Sequence, residues 1–132
     1  MVDMSEPAVE EQGSLEFDVF ARNCTSRATL EHVTGRWGIL ALAALRDGTL
    51  RFNALRRRVD GVSEKMLAQT LQALERDGFV RRDAQATIPP RVDYSLTPLG
   101  EATATRLFDL IEFVEDRMLE VTANQAAYDA KK

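Results

Sequence analysis

The sequence is poor in the side chains that carry metal and covalent chemistry. Its 132 residues include one cysteine, Cys24, and one histidine, His32. A lone thiol cannot close an intramolecular disulfide, and one thiol with one imidazole falls short of the ligand set of a zinc site. No metal and no cofactor are therefore expected. His32 follows Cys24 in the chain, but no separate acid partner and no oxyanion-forming glycine loop accompany the pair. An enzyme is not expected on these grounds, and His32 reads as an ordinary helix residue. Also missing is any apolar run approaching the roughly 20 residues of a membrane span. Met1 to Ser14 is acidic and polar, unlike the basic-then-apolar order of a signal sequence. The expected location is the cytoplasm, without membrane contact.

Net positive charge is lacking too, with 17 lysines and arginines against 21 acids. Binding to phosphates depends on the local field rather than the total, so the distribution matters more than the sum. Residues 1–23 carry one arginine against six acids, residues 24–45 sum to +1, and residues 92–132 carry four bases against eight acids. Residues 46–91 reverse the sign, with ten bases against six acids. That central stretch is either a solvated surface or a face built for an anionic partner.

What is present is enough apolar mass, 45% of residues, for one globular domain with a core. Residues 1–14 lack apolar periodicity and are expected to form a flexible acidic tail. Residues 15–128 are expected to form the domain. Leu15, Phe17, Val19 and Phe20 give a short apolar cluster of one or two helical turns. Asn23 to Ser26 offer N-cap residues for a helix from about Thr25 to Val33, which Gly35 breaks. Trp37 to Leu45 is apolar nearly all round, the pattern of a central helix packed on several sides. Asp47-Gly48 ends it, and Thr49 to Arg51 suffices for one short strand pairing.

Phe52, Leu55 and Val59 mark a short amphipathic helix with Arg57 and Arg58 outward. After the turn at Asp60-Gly61, Ser63 is an N-cap, and Leu67, Leu71 and Leu74 form the buried stripe of a second helix running to about Asp77. Two helices joined so tightly are the helix-turn-helix signature. At about 100° per residue, the far face of the second helix carries Lys65, Gln69, Gln72 and Arg76, flanked by Ala68 and Ala73. All four are hydrogen-bond donors and none is acidic. Such side chains reach guanine or adenine edges in the major groove, and alanines allow close approach. The same residues are also good helix formers on a wet surface. Their place after a Ser63 cap and an arginine-rich helix favours groove insertion.

Phe79 to Arg82 then reads as a strand, Asp83 to Pro90 as a hairpin tip, and Val92, Tyr94 and Leu96 as the returning strand. This is a wing. Arg91 beside the tip suits a minor groove or a phosphate, and Arg81 and Arg82 suit the DNA backbone, as do Arg36, Arg51 and Arg57. Thr97-Pro98 starts a long helix whose stripe runs through Leu99, Ala102, Leu107, Leu110, Ile111, Val114, Met118 and Val121. Phe108, Phe113 and Leu119 widen it beyond what a small domain covers, which implies a second copy as partner. The expected dimer interface comprises Leu15, Phe20, Leu107, Ile111, Val114 and Met118, on helices at residues 15–22 and 98–128. The fold expected is mainly α with a small β-hairpin wing, a winged helix-turn-helix with a long C-terminal helix for dimerisation.

Several segments carry a resemblance. They are Cys24 with Gly35-Arg36-Trp37, then Arg51 to Arg56, Gly61 to Leu67, Leu74 to Gly78, and the run Pro89-Pro90-Arg91-Val92-Asp93-Tyr94-Ser95-Leu96-Thr97-Pro98-Leu99-Gly100. In order and spacing, over about Cys24 to Val121, the chain resembles the HxlR family of bacterial winged-helix regulators, relatives of the MarR type. The resemblance implies a homodimeric repressor or activator, with the Ser63 to Asp77 helix in the major groove and the Arg81 to Leu96 hairpin on flanking DNA. Family members often place a cysteine where Cys24 stands, and some sense oxidants or electrophiles with it, which makes Cys24 a candidate redox switch. Thr25 stands where a proline commonly follows, a departure that bears on that role. A thiol near a helix N-terminus can react more readily, and cysteine is equally a residue that is simply buried.

The function expected is sequence-specific binding to a pseudo-palindromic operator on double-stranded DNA, responsive to an oxidant or small-molecule effector. Ser63, Lys65, Gln69, Gln72 and Arg76 would act in the major groove, and Arg36, Arg51, Arg57, Arg81 and Arg91 on the backbone or minor groove. On DNA the protein would be associated with the nucleoid. The competing expectation is a winged-helix module that binds a protein instead.

Overall fold

Helix α2, Arg36–Leu45, is the hub of the structure, a computed structural model that describes residues 17–131. Its sequence, RWGILALAAL, offers apolar side chains on every side. It packs against α1 (Thr25–Thr34), α3 (Phe52–Arg58), α4 (Glu64–Arg76), β3 (Arg91–Leu96) and α5 (Pro98–Asp116). Leu42 and Leu45 meet Leu55 of α3 and Leu67, Leu71 and Leu74 of α4 in the core, all fully or almost fully buried. Each fully buried leucine contributes about 1.5–3 kcal/mol relative to exposure. The leucine stripe is thus what fixes α4 in rotation about its own axis.

Two glycines set the ends of the helix-turn-helix. Gly61 takes φ +93° in the turn between α3 and α4, and Gly78 takes φ +89° just past the end of α4. Around Gly78 the Phe79 N–H donates to the Leu74 carbonyl, and the Gly78 N–H to the Glu75 carbonyl. This double closure satisfies the last carbonyls of the helix and requires the left-handed residue that glycine supplies.

The wing is a three-stranded antiparallel sheet in the order β1-β3-β2, with β1 Leu50–Arg51 and β2 Val80–Gln85 flanking β3. Leu50 lies opposite Tyr94, and the hairpin runs in register from Val80 opposite Leu96 to Gln85 opposite Arg91. Val80 and Tyr94 face the core, where Tyr94 meets the Phe52 ring at 6.3 Å. Strand β2 extends past the expected Arg82, so the tip comprises residues 86–90 only. Asp83, Ala84 and Gln85 join the ladder through their backbones, which a hydrophobic pattern does not register.

The C-terminal helix is capped as expected, the Thr97 hydroxyl accepting the Gly100 N–H with Pro98 in the first turn. It is not continuous. Arg117, at φ −106° and ψ 10°, separates α5 from α6 (Met118–Ala130). Its guanidinium lies over the Phe113 ring and beside Glu120. A second correction concerns Leu107, which is 7% exposed and packs inside its own domain. Its stripe position points it into the core instead of outward. A third concerns the expected helix at 15–22, whose described part forms turns at residues 19–23. There the Asp18 carboxylate accepts the Phe20 N–H, and the Cys24 thiol accepts the Asp18 N–H. Such side-chain acceptors compete with helix formation. Leu15 and the tail at residues 1–14 lie outside the described residues. Among the described residues, no helix is long and apolar enough to cross a membrane.

Candidate nucleic-acid interface

The sequence of α4 separates its two faces cleanly. Ser63 is the N-cap, its hydroxyl oxygen accepting the Met66 N–H at 3.1 Å. Capping of this kind is worth about 1 kcal/mol, and Glu64 in the first turn suits the positive end of the helix dipole. With Leu67, Leu71 and Leu74 inward, Lys65, Gln69, Gln72 and Arg76 are all exposed. Ala68 is exposed beside them and Ala73 is half-buried. The face therefore offers ammonium, amide and guanidinium donors from a helix whose rotation is fixed by its leucines. Met66, 42% exposed on the first turn, is an addition to the expected set. Its position outside the leucine stripe was the available signal, and its apolar chain suits a thymine methyl.

The arginines divide into groups. Arg51 and Arg57 line one open groove together with Asn53, Thr87 and Arg91, between α3 and the wing tip. Three cations in one groove form a surface suited to phosphate. Arg36 lies apart from them, stacked 4.8 Å above Trp37, in a cleft shared with Gln69 of α4. Arg81 is exposed on β2, two rungs from the Asp83–Asp93 pair. Arg91 is only half-exposed, because its Nε donates to Asp93 at 3.1 Å. The sequence alone suggests DNA for this arginine and gives no sign of its protein partner.

One further contact secures α4. Asp77 at its C-cap is hydrogen-bonded to His32 of α1 at 2.6 Å, so the imidazole ties the end of α1 to the end of α4. Cys24 stands at the N-cap of α1, half-exposed, beside Arg22 and Arg27. The Ser26 hydroxyl at 3.2 Å is the chief influence holding its thiol below the ordinary range. The backbone N–H groups of Asp18 and Ser26 add to this effect, and the Asp18 carboxylate opposes it. Among the described residues, no cluster of His, Cys, Asp and Glu is arranged to hold a metal ion.

A capped helix with a donor face, preceded by an arginine-rich helix and followed by a basic hairpin, defines a DNA-binding regulator of the winged helix-turn-helix class. Comparison with known proteins gives the family. The HxlR-like helix-turn-helix model matches residues 32–122, and the chain belongs to that family. It is 56% identical over 108 residues to the uncharacterized HTH-type transcriptional regulator YtfH of Escherichia coli (strain K12), covering 82% of this chain and 86% of that one. The solved structure of the transcriptional regulator ytfH from Salmonella typhimurium superposes with a TM-score of 0.80 at 53% identity, covering 83% of this chain and 97% of that one. The redox regulator HypR in its oxidized form superposes with a TM-score of 0.64 at 33% identity, covering 70% and 96%.

Proposed function

We propose that the protein regulates transcription as a homodimer on a pseudo-palindromic operator, each α4 reading one half-site from the major groove. The observation that carries this reading is the exposed row Lys65, Gln69, Gln72 and Arg76 on a helix backed by three fully buried leucines. Lys65 and Gln69 would meet base edges, with Ser63 at an adjacent phosphate, where the helix N-terminus favours negative charge. Arg36, Arg51, Arg57, Arg81 and Arg91 would hold the backbone, supplying affinity that falls with salt.

The dimer is supported by apolar surface that one domain leaves uncovered. Leu110, Phe113, Val114, Met118 and Leu119 of α5 and α6 are exposed, as is Phe20 near the N-terminus. A patch of this kind on a regulator is most simply closed by its own copy. Pairing would set the two α4 helices about one DNA turn apart, roughly 34 Å. Cys24 is the proposed point of control. A thiol at the cap of α1 whose pKa is lowered by the Ser26 hydroxyl, in a chain similar to a redox regulator, can change how α1 seats beside α4 when it is oxidised.

Selection of bound fragments from genomic DNA, followed by affinity measurement across a salt series, tests the reading. An enriched inverted repeat with steep salt dependence is expected. Salt-insensitive or undetectable DNA binding, with a protein recovered as partner, would replace it with the interaction-module reading. Mild oxidation of the wild-type chain and of Cys24→Ser tests the switch, which requires the wild type alone to lose DNA affinity.

A further inference from the structure

The wing buries a carboxylate in a hairpin whose other charges suit DNA. Asp93 lies in the middle strand, opposite Arg51 of β1 and Asp83 of β2. Its side chain is only 10% exposed. Burying an ionised carboxylate is costly unless its oxygens are hydrogen-bonded, and here each has a donor. Oδ1 accepts from Arg91 Nε at 3.1 Å, and Oδ2 accepts from Gln85 Nε2 at 3.0 Å. Gln85 and Arg91 face each other on the last rung before the tip. One carboxylate therefore ties together the ends of both strands.

The geometry matters because of what it does to the guanidinium. Arginine carries five N–H donors in one rigid plane, four of them on the two terminal nitrogens. Engaging Nε fixes that plane, while the terminal nitrogens keep their donors for another acceptor. Arg91 also lines the groove that holds Arg51 and Arg57. We propose that Asp93, assisted by Gln85, is a positioning residue for DNA binding that orients the Arg91 guanidinium at a backbone phosphate. This rests on the DNA-binding reading above.

The test exploits two effects of opposite sign. Removing a negative charge near DNA tightens binding by electrostatics alone. Removing a positioning group weakens binding, because a freed arginine must be ordered again on contact. Affinity of the full chain for its selected operator duplex is measured by fluorescence anisotropy over a potassium chloride series, with a thermal melt of every variant. Asp93→Asn is expected to bind about two- to tenfold more weakly than wild type at fixed salt. That loss is expected to vanish in the Arg91→Ala background. Arg91→Lys is expected to bind more weakly than wild type although it keeps the charge, since one ammonium has no separate Nε to leave with Asp93. Gln85→Ala, which keeps the carboxylate, provides a milder variant should Asp93→Asn melt early, with a smaller loss that likewise vanishes without Arg91.

Binding by Asp93→Asn equal to or tighter than wild type overturns the proposal, as does a loss undiminished in the Arg91→Ala background. Wild-type affinity retained in Arg91→Lys overturns it as well. A wild-type chain with no salt-dependent duplex affinity overturns the DNA-binding reading and this proposal with it.

Discussion

Neighbouring positions on α4 allow fold and recognition to be perturbed separately. Leu71 is fully buried among Leu42, Leu55 and Leu67, and Gln69, two residues earlier, is exposed on the opposite side. Leu71→Ala removes three carbons from a closed site, where such truncations cost about 3–5 kcal/mol through lost transfer energy and the cavity left behind. Against a domain stability of about 5–15 kcal/mol, that lowers Tm by about 10 °C or more. Gln69→Ala removes no buried contact and should alter stability by less than about 0.5 kcal/mol. Its effect is expected on DNA, where the loss of a bidentate amide would cost about 1–3 kcal/mol of discrimination, roughly 5- to 150-fold between the operator and a site altered at one base pair. Both variants are assayed at one protein concentration by urea denaturation and by anisotropy on matched and altered operators, because the proposed dimerisation would make stability concentration-dependent. The folded fraction of Leu71→Ala should keep wild-type discrimination, and Gln69→Ala should lose it while melting normally. The reverse pattern, with Gln69→Ala unstable and discrimination intact, would refute the face assignment.

Three other perturbations have defined outcomes. Phe113→Asp places a charge on the apolar stripe of α5 at a side chain 55% exposed in one copy, so the domain should stay folded while dimer affinity falls at least about thirtyfold in sedimentation equilibrium; a dimer of unchanged strength would relocate the interface. Alkylation of Cys24 should rise with pH at a midpoint below that of a free thiol, about 8.5, because the lowered thiol pKa forms thiolate earlier as pH increases. Ser26→Ala removes the main cause and should move that midpoint upward, so coincident profiles would exclude the hydroxyl's role. Gly78→Ala should cost about 1–2 kcal/mol in urea denaturation, since a Cβ there meets no atom within 4 Å and the penalty is the positive φ alone.

Helix α4 was legible because its determinants are local. Ser63 caps it, Gly78 ends it, and three leucines at helical spacing define the inner face, so the outer face follows by rotation. The C-terminal stripe was legible as apolar excess, but not in its partition. Leu107 is buried in the core, whereas Val114, two turns further along the same face of α5, stays exposed, a difference that the periodicity of α5 does not register. The break at Arg117 has neither proline nor glycine to announce it. Asp93 is not distinguishable within its run from sequence, because its role depends on Gln85 across the hairpin, a pairing fixed only once the strands are in register. The Cys24 environment was hidden for a similar reason, since Asp18 reaches the thiol only because the preceding residues turn.

The central claim is that α4 lies in the major groove with Lys65 and Gln69 at base edges. Methylation protection of guanine N7, a major-groove atom, on a selected operator tests it most directly. The account predicts protected guanines in two half-sites about one DNA turn apart, with particular guanines losing protection in Lys65→Ala and the remainder unchanged. Unprotected guanines throughout a bound operator, or a protection pattern identical in Lys65→Ala and Gln69→Ala, would contradict it.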